Sequence, residues 1–471
     1  MRRGGRPSAP AARGDRAASM REKPAPEEVP LGRPDGTPLW TVGFVALLMY
    51  IFVIHSYKLP LGTTSMVVGL AAVLLGGNRI RLPPGWLWFF ALVAWGAIGY
   101  PTSEYPDSIP DRLLDAAKLL GVMLVAANAA SSPRQIRVAI VFWLAIFALY
   151  PIRGLLFNFA FGIGEFGRYA WNFVFSNPNE FAGYTLLPLG ICVAIARSEF
   201  PKWVRRASGI GVGVLTVAIF LTQSRGGFLA LAAFGLIVLA TERRRFRTIA
   251  IVAVLAGIVV VTAPPEVWTR IGGIGKLSST ETIDEADPEG SAASRYAIWG
   301  VAWSVFKDHQ VTGVGFGIYD EAHADYALRS GSPRMASIRG LRDAHSAYLR
   351  VLAESGVVGF ACFLGFLTST FVYLFRAIRL LKPVDEVRAR HIQVLAACWA
   401  AYWIASLFAG LNRVAFPYLF AGLTYSLCED YLRRLVPESS RVRMAGPAPI
   451  RGQPPGPQNL IRLGRGGRAG P

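Results

Sequence analysis

Long apolar runs separated by short polar breaks dominate the chain between residues 39 and 432. A helix needs about 20 apolar residues to cross the hydrocarbon layer of a bilayer. Runs of that kind stand at 39–56, 61–76, 86–100, 113–130, 136–157, 181–196, 207–222, 226–241, 248–263, 347–375, 392–410 and 415–432. The pattern predicts an all-α, polytopic membrane protein of about twelve transmembrane helices. It divides the chain into an amino-terminal arm (1–38), helices one to nine (39–263), one large loop (264–345), helices ten to twelve (346–432) and a tail (433–471).

The breaks carry charge in alternation, which orients the predicted spans, because cytoplasmic loops collect Lys and Arg. One set holds Arg79 and Arg81; Arg134 and Arg137; Arg197, Lys202, Arg205 and Arg206; Arg243, Arg244, Arg245 and Arg247; and Arg376, Arg379, Lys382, Arg388 and Arg390. The opposite set is poorer: Lys58, then Arg112 beside Glu104, Asp107 and Asp111, then Arg153 and Arg168, then single arginines at Arg225 and Arg413. Both termini are therefore expected in the cytoplasm, with the large loop on the opposite side of the membrane.

Composition agrees with this reading: 53% of the 471 residues are hydrophobic and only 17% are charged. The formal net charge of +19 raises the question of nucleic acid. The arginines crowd the tails and alternate loops, with no basic stripe interleaved with aromatics, so the charge is topogenic and no nucleic-acid partner is expected. Cys192, Cys362, Cys398 and Cys428 all lie in apolar spans with no CxxC pair, which points to neither disulfides nor zinc. Residues 1–38, rich in Arg, Pro, Ala and Gly, read as a disordered arm and not a signal peptide, and the Pro, Gly and Arg-rich tail reads likewise.

Within the large loop, Asp284, Glu285, Asp287 and Glu289 form an acidic run expected to be a solvated segment. Tyr296, Trp299, Val301, Trp303 and Phe306 suggest a helix lying on the membrane surface, with Trp299 and Trp303 in the interfacial belt. Gly313-Val314-Gly315-Phe316-Gly317 lacks the strand and helix of a dinucleotide site and reads as a tight turn.

Three positions carry candidate chemistry. Arg225, in Gln223-Ser224-Arg225-Gly226-Gly227, stands near membrane depth, where a guanidinium is costly and ordinarily has a partner or a job. Ser224 and Gly226 flank it, and the glycines offer backbone N–H groups to a phosphate at a new helix start. His345 opens the re-entry into the membrane, with Asp343 or Glu354 available to orient it as a general base. Arg295 follows Ser294 early in the predicted loop helix.

Taken in order, these pieces resemble the O-antigen ligase and polymerase superfamily of bacterial surface-glycan enzymes. The resemblance runs from about Asn172 to Arg413 through Phe175–Ala182 (Phe-Ser-Asn-Pro-Asn-Glu-Phe-Ala), Ser224-Arg225-Gly226-Gly227, Ser294-Arg295 with Trp299, the glycine turn, and His345-Ser346-Ala347-Tyr348-Leu349 with Glu354-Ser355-Gly356. One departure is Ser346, where the family often has asparagine. The resemblance implies a membrane glycosyltransferase whose donor is a glycan on undecaprenyl diphosphate and whose acceptor hydroxyl belongs to a glycan, to lipid A core or to a protein. It implies catalytic roles for Arg225, Arg295 and His345, donor binding by the two arginines with Ser224 and Gly226, an inverting displacement, and no metal or cofactor. A twelve-span transporter shares the outline, but such carriers join two six-span halves by a cytoplasmic loop, whereas the long loop here follows the ninth span.

Overall fold

The computed structural model describes residues 38–56, 60–77, 79–164, 167–171, 176–241, 291–329 and 338–437, together with positions 249, 257 and 440. Residues 1–37 and 441–471, nearly all of the ninth predicted span, the acidic run and Arg243 to Arg247 lie outside the described residues.

The described chain is helical. In order it forms α1 (Val42–His55), α2 (Leu61–Leu75), α3 (Trp86–Gly99), α4 (Ile109–Ala129), α5 (Pro133–Phe147), α6 (Arg153–Ala160), α7 (Pro178–Ala196), α8 (Lys202–Leu221) and α9 (Arg225–Thr241). Two helices of the large loop follow, α10 (Ser291–Asp308) and α11 (Tyr319–Arg329), and then α12 (Ala347–Leu381), α13 (Glu386–Ala405) and α14 (Ala415–Leu435). Among the described residues, four helical stretches are long and apolar enough to cross a membrane: Pro133–Ala160, Pro178–Ala196, Lys202–Leu221 and Ala347–Leu381. The first joins α5 and α6 through a π-turn at Ala148–Ile152 that absorbs Pro151. It starts on a capping box, with Ser132 and Gln135 reciprocally bonded and Pro133 in the first turn. Helices α1, α2 and α9 are apolar but shorter. At 1.5 Å per residue such helices reach only part of the roughly 30 Å hydrocarbon thickness, so the full count of twelve spans is not carried by length alone.

Contacts at the two ends of the bundle sort the loops into two groups. At one end Arg81 N donates to Asn128 Oδ1, Gln135 reaches the carbonyls of Pro38 and Leu39, Arg388 pairs with Glu199, and His391 lies 3.3 Å from the Arg197 carbonyl. At the other, Ser103 Oγ donates to Val314 O, Arg112 faces Glu321, and Arg168 Nε donates to Thr222 O.

Packing differs between the layers. Inside a bilayer the lipid is as apolar as the side chains, so association depends on close fit. At Gly190 an added Cβ would stand 2.5 Å from the Cys398 Cβ, so any larger residue would force α7 and α13 apart. In the loop layer burial from water does the work. Ile298, Val301, Ala302 and Val305 turn one face of α10 into a separate core with Ile318, Tyr319, Ala322 and Ala353, each large aliphatic contributing about 1.5–3 kcal/mol. This corrects the surface-helix expectation: Trp303 is 49% exposed, but Trp299 turns inward and donates from Nε1 to Ala344 O at 3.0 Å.

Helix α12 is not one straight span. Gly356 breaks it with φ 60° and ψ −167°, so residues 347–355 belong to the loop layer. Backbone groups at the break find partners outside the helix: Val314 N and Gly315 N donate to Ala353 O and Glu354 O, Val357 N donates to Gln310 O, and Trp95 Nε1 donates to Ser355 O. The glycine turn makes this possible, since Gly313, Gly315 and Gly317 have φ of 74°, 139° and 82°, a region open to glycine. Replacing Gly356 with Ala is expected to destabilise the protein by at least about 1–3 kcal/mol from backbone strain alone. The added Cβ would also stand 2.2 Å from Val311 O. The apparent melting temperature in detergent measures the loss, and an unchanged value would contradict it.

Candidate functional site

The end of the bundle that carries the loop layer gathers the segments singled out in the sequence. Arg225 is the first residue of α9. Ser224 caps that helix, accepting from Gly227 N at 3.2 Å, and is buried. An added Cβ on Gly226 would meet the Phe408 Cβ at 2.9 Å, and one on Gly227 would meet the Ala182 Cβ at 2.7 Å. Ser224 Oγ accepts in the cap and keeps its O–H for a further partner, while Gly226 and Gly227 let α9 approach its neighbours closely.

The Asn177-Pro178-Asn179-Glu180 stretch braces the same corner. Asn177 caps α7 through Asn179 N at 2.9 Å. Asn179 accepts from Arg168 at 2.8 Å, Arg168 also donates to Thr222 O, and Gln223 Nε2 donates to Gly167 O at 2.7 Å. Glu180 lies within electrostatic reach of Asp343 and Arg350.

A continuous chain of contacts links Arg225 to the other two candidates. Phe408, against Gly226, lies 6.4 Å ring to ring from Trp299. Trp299 holds the carbonyl of Ala344, the residue before His345. Arg295 lies one turn before Trp299 on α10, close enough for its charge to act on the His345 imidazole. The structure thus brings the surroundings of Arg225, Arg295 and His345 together at one end of the bundle.

His345 is held in an unusual way. Its φ is +48°, and Gln223, two residues before Arg225, has φ +50°; among the described residues these are the non-glycine positions with positive φ. Left-handed backbone away from glycine is costly, persists where the surroundings over-determine it, and clusters at functional sites. Asp343 Oδ2 accepts from His345 N at 3.1 Å and lies 3.4 Å from Nδ1. A proton on Nδ1 facing this carboxylate leaves Nε2 as the free acceptor. Burial pushes the imidazole below its usual range; Asp343 works against that, while Arg295, Arg350 and Arg342 add to it. Ser346 caps α12 through Leu349 N at 3.4 Å. Serine and asparagine are equally good at such a cap, so the departure at this position costs nothing locally.

Sequence reasoning did not find a buried ion-pair network beside the histidine. The Arg350 side chain, 5% exposed, donates to Asp343, to Asp320 at 2.8 Å and to Glu354 at 3.0 Å. Arg413 joins Glu354 at 2.7 Å, and Glu354 also accepts from Tyr319 N at 3.2 Å. Of the two carboxylates considered for orienting His345, Asp343 does so and Glu354 serves this network. The available signal was the Arg350 and Glu354 pair, four residues apart in an otherwise apolar stretch.

The fold and the site together define a multi-pass helical membrane protein with an imidazole and several guanidinium groups assembled at one end of its bundle. Residues 210–364 match the family model described as O-antigen ligase. This segment begins in α8, ends in α12 and contains Arg225, Arg295 and His345. No curated protein matches the chain.

Proposed function

We propose that this protein is an O-antigen ligase-like glycosyltransferase of a bacterial inner membrane, moving a glycan from undecaprenyl diphosphate onto an acceptor hydroxyl on the outer side. The observation that carries the reading is His345 in a strained backbone, its Nδ1 turned to Asp343, inside the family-matched segment that also holds Arg225 and Arg295. In this reading twelve helices span the membrane, both termini are cytoplasmic, and the loop layer faces outward.

The chemistry follows from the groups present. His345 Nε2 takes the proton of the acceptor hydroxyl as that oxygen attacks the anomeric carbon. The bond from that carbon to the diphosphate oxygen breaks, and undecaprenyl diphosphate leaves with the electron pair, inverting the anomeric centre. Arg225 and Arg295 bind the diphosphate, since a guanidinium forks onto phosphate oxygens and keeps its charge at any working pH. They stabilise the charge that grows on the leaving group. The free energy comes from the donor's sugar–phosphate bond, so the reaction calls for no nucleotide.

Incubation of the purified protein with undecaprenyl-diphosphate glycan and each acceptor class (lipid A core, a second lipid-linked glycan, a protein) followed by mass analysis tests the reading. Transfer to one class is expected. The rate should hold at neutral pH and fall on an acid limb whose midpoint lies below 6.5, because the imidazole is pushed below that value. Flux of a solute in proteoliposomes with no transfer to any acceptor would instead favour a carrier.

A further inference from the structure

We infer that Arg350 and Asp343 form a positioning relay for His345, in which the buried guanidinium fixes one oxygen of Asp343 and the other oxygen fixes the ring and backbone of the histidine. The inference rests on the reading of His345 as the base and adds the residues that aim it.

The geometry divides the labour between the two oxygens. Asp343 Oδ1 accepts from Arg350, while Oδ2 is left for the His345 N–H and faces its Nδ1. Arg350 cannot swing away, because its two other nitrogens are held by Asp320 at 2.8 Å and Glu354 at 3.0 Å and its side chain is 5% exposed. Asp343 in turn is pressed against Gly410, where an added Cβ would stand 3.0 Å from Oδ2. The segment is pinned on both sides, by Trp299 on Ala344 O and by Ala347 N on Ser406 O at 2.9 Å. A carboxylate locked by a buried cation, with its free oxygen turned to Nδ1, selects the tautomer that leaves Nε2 open to an acceptor.

The charged groups around the imidazole are Arg342 and Asp343 on its own segment, Arg295 from α10 and Arg350 from α12. Glu180 and Tyr184 from α7 and Tyr319 from α11 lie within electrostatic reach of Asp343. Asp343 is the group among these that holds the ring's proton affinity up; the arginines lower it. Removing its charge therefore moves the titration of His345 to lower pH, whereas loss of a merely structural contact would reduce the amount of folded protein and leave that titration in place.

The test uses the full chain in detergent and three forms: wild type, Asp343→Asn and Asp343→Glu. Diethyl pyrocarbonate modifies neutral imidazole, and peptide mass analysis reads its reaction at His345 as a function of pH, independently of any transfer. In parallel, kcat and donor KM are measured with the lipid-linked glycan. For Asp343→Asn the modification midpoint is expected to fall and kcat to drop about 10²-fold, the cost of a misaimed group, with donor KM unchanged. Asp343→Glu is expected to return the midpoint toward the wild-type value. A wild-type midpoint, or a wild-type kcat, in Asp343→Asn overturns the relay. Failure of the wild-type protein to transfer any glycan would instead strike the functional reading, while the modification midpoint still reports on the relay.

Discussion

His345→Ala is expected to lose about 10²–10⁴ of the transfer rate, the usual worth of a positioned general base, while the affinity for the lipid-linked donor stays near the wild-type value. The separation of the two effects is the informative part. The diphosphate is assigned to Arg225 and Arg295, which stand on α9 and α10, and neither helix depends on the imidazole for its position. The backbone at φ +48° carries a Cβ in both residues, so alanine adds no new clash there, and the variant should fold. Donor binding can be read by retention of labelled lipid-linked glycan on the purified variant and turnover by product mass. Transfer at the full wild-type rate would remove His345 from the chemistry.

Arg350→Met should produce the largest loss of stability of any single change near the site. Taking out one partner of a buried ion-pair network costs about 3–5 kcal/mol, because the remaining charge is left without its counterion. Here three carboxylates, Asp320, Asp343 and Glu354, would lose a shared cation. Arg413 compensates only in part, reaching Glu354 at 2.7 Å and Asp320 at 4.0 Å. A marked drop in apparent melting temperature in detergent is the expected result. If Arg350→Met melts with the wild type, the network does not hold this layer together. A double variant that also replaces Glu354 with Gln should recover part of the loss, since one of the abandoned charges is removed with it.

Much of this architecture could be read from the chain because membranes impose one-dimensional rules. Apolar run length and the alternation of arginine between loops are local quantities, readable without any contact across the chain. The site was legible in its motifs, since Arg225, Arg295 and His345 each sit at a boundary between polar and apolar sequence. What stayed hidden depended on contacts across the chain. Trp299 reads as an interfacial tryptophan until the Ala344 carbonyl is placed beside it. Ser224 and Gly226 read as phosphate ligands, and the cap to Gly227 N and the close approach of Phe408 come only with the fold. Glu354 and Asp343 are equivalent in sequence as partners for His345, and only the position of Arg350 between them divides their roles. The break at Gly356 follows Glu354 and Ser355 directly, but a single glycine there does not by itself tell a kink from a continuous helix.

That break separates two anchoring regimes within α12. Beyond Gly356 the helix is packed along the bundle, with Phe363, Phe366 and Leu374 buried, and its tilt follows that of its neighbours. Before Gly356 the helix is tied by its own cap, by Ser406 and by the turn that receives Ala353 and Glu354. The imidazole is thereby aimed by partners that differ from those of the span that follows it.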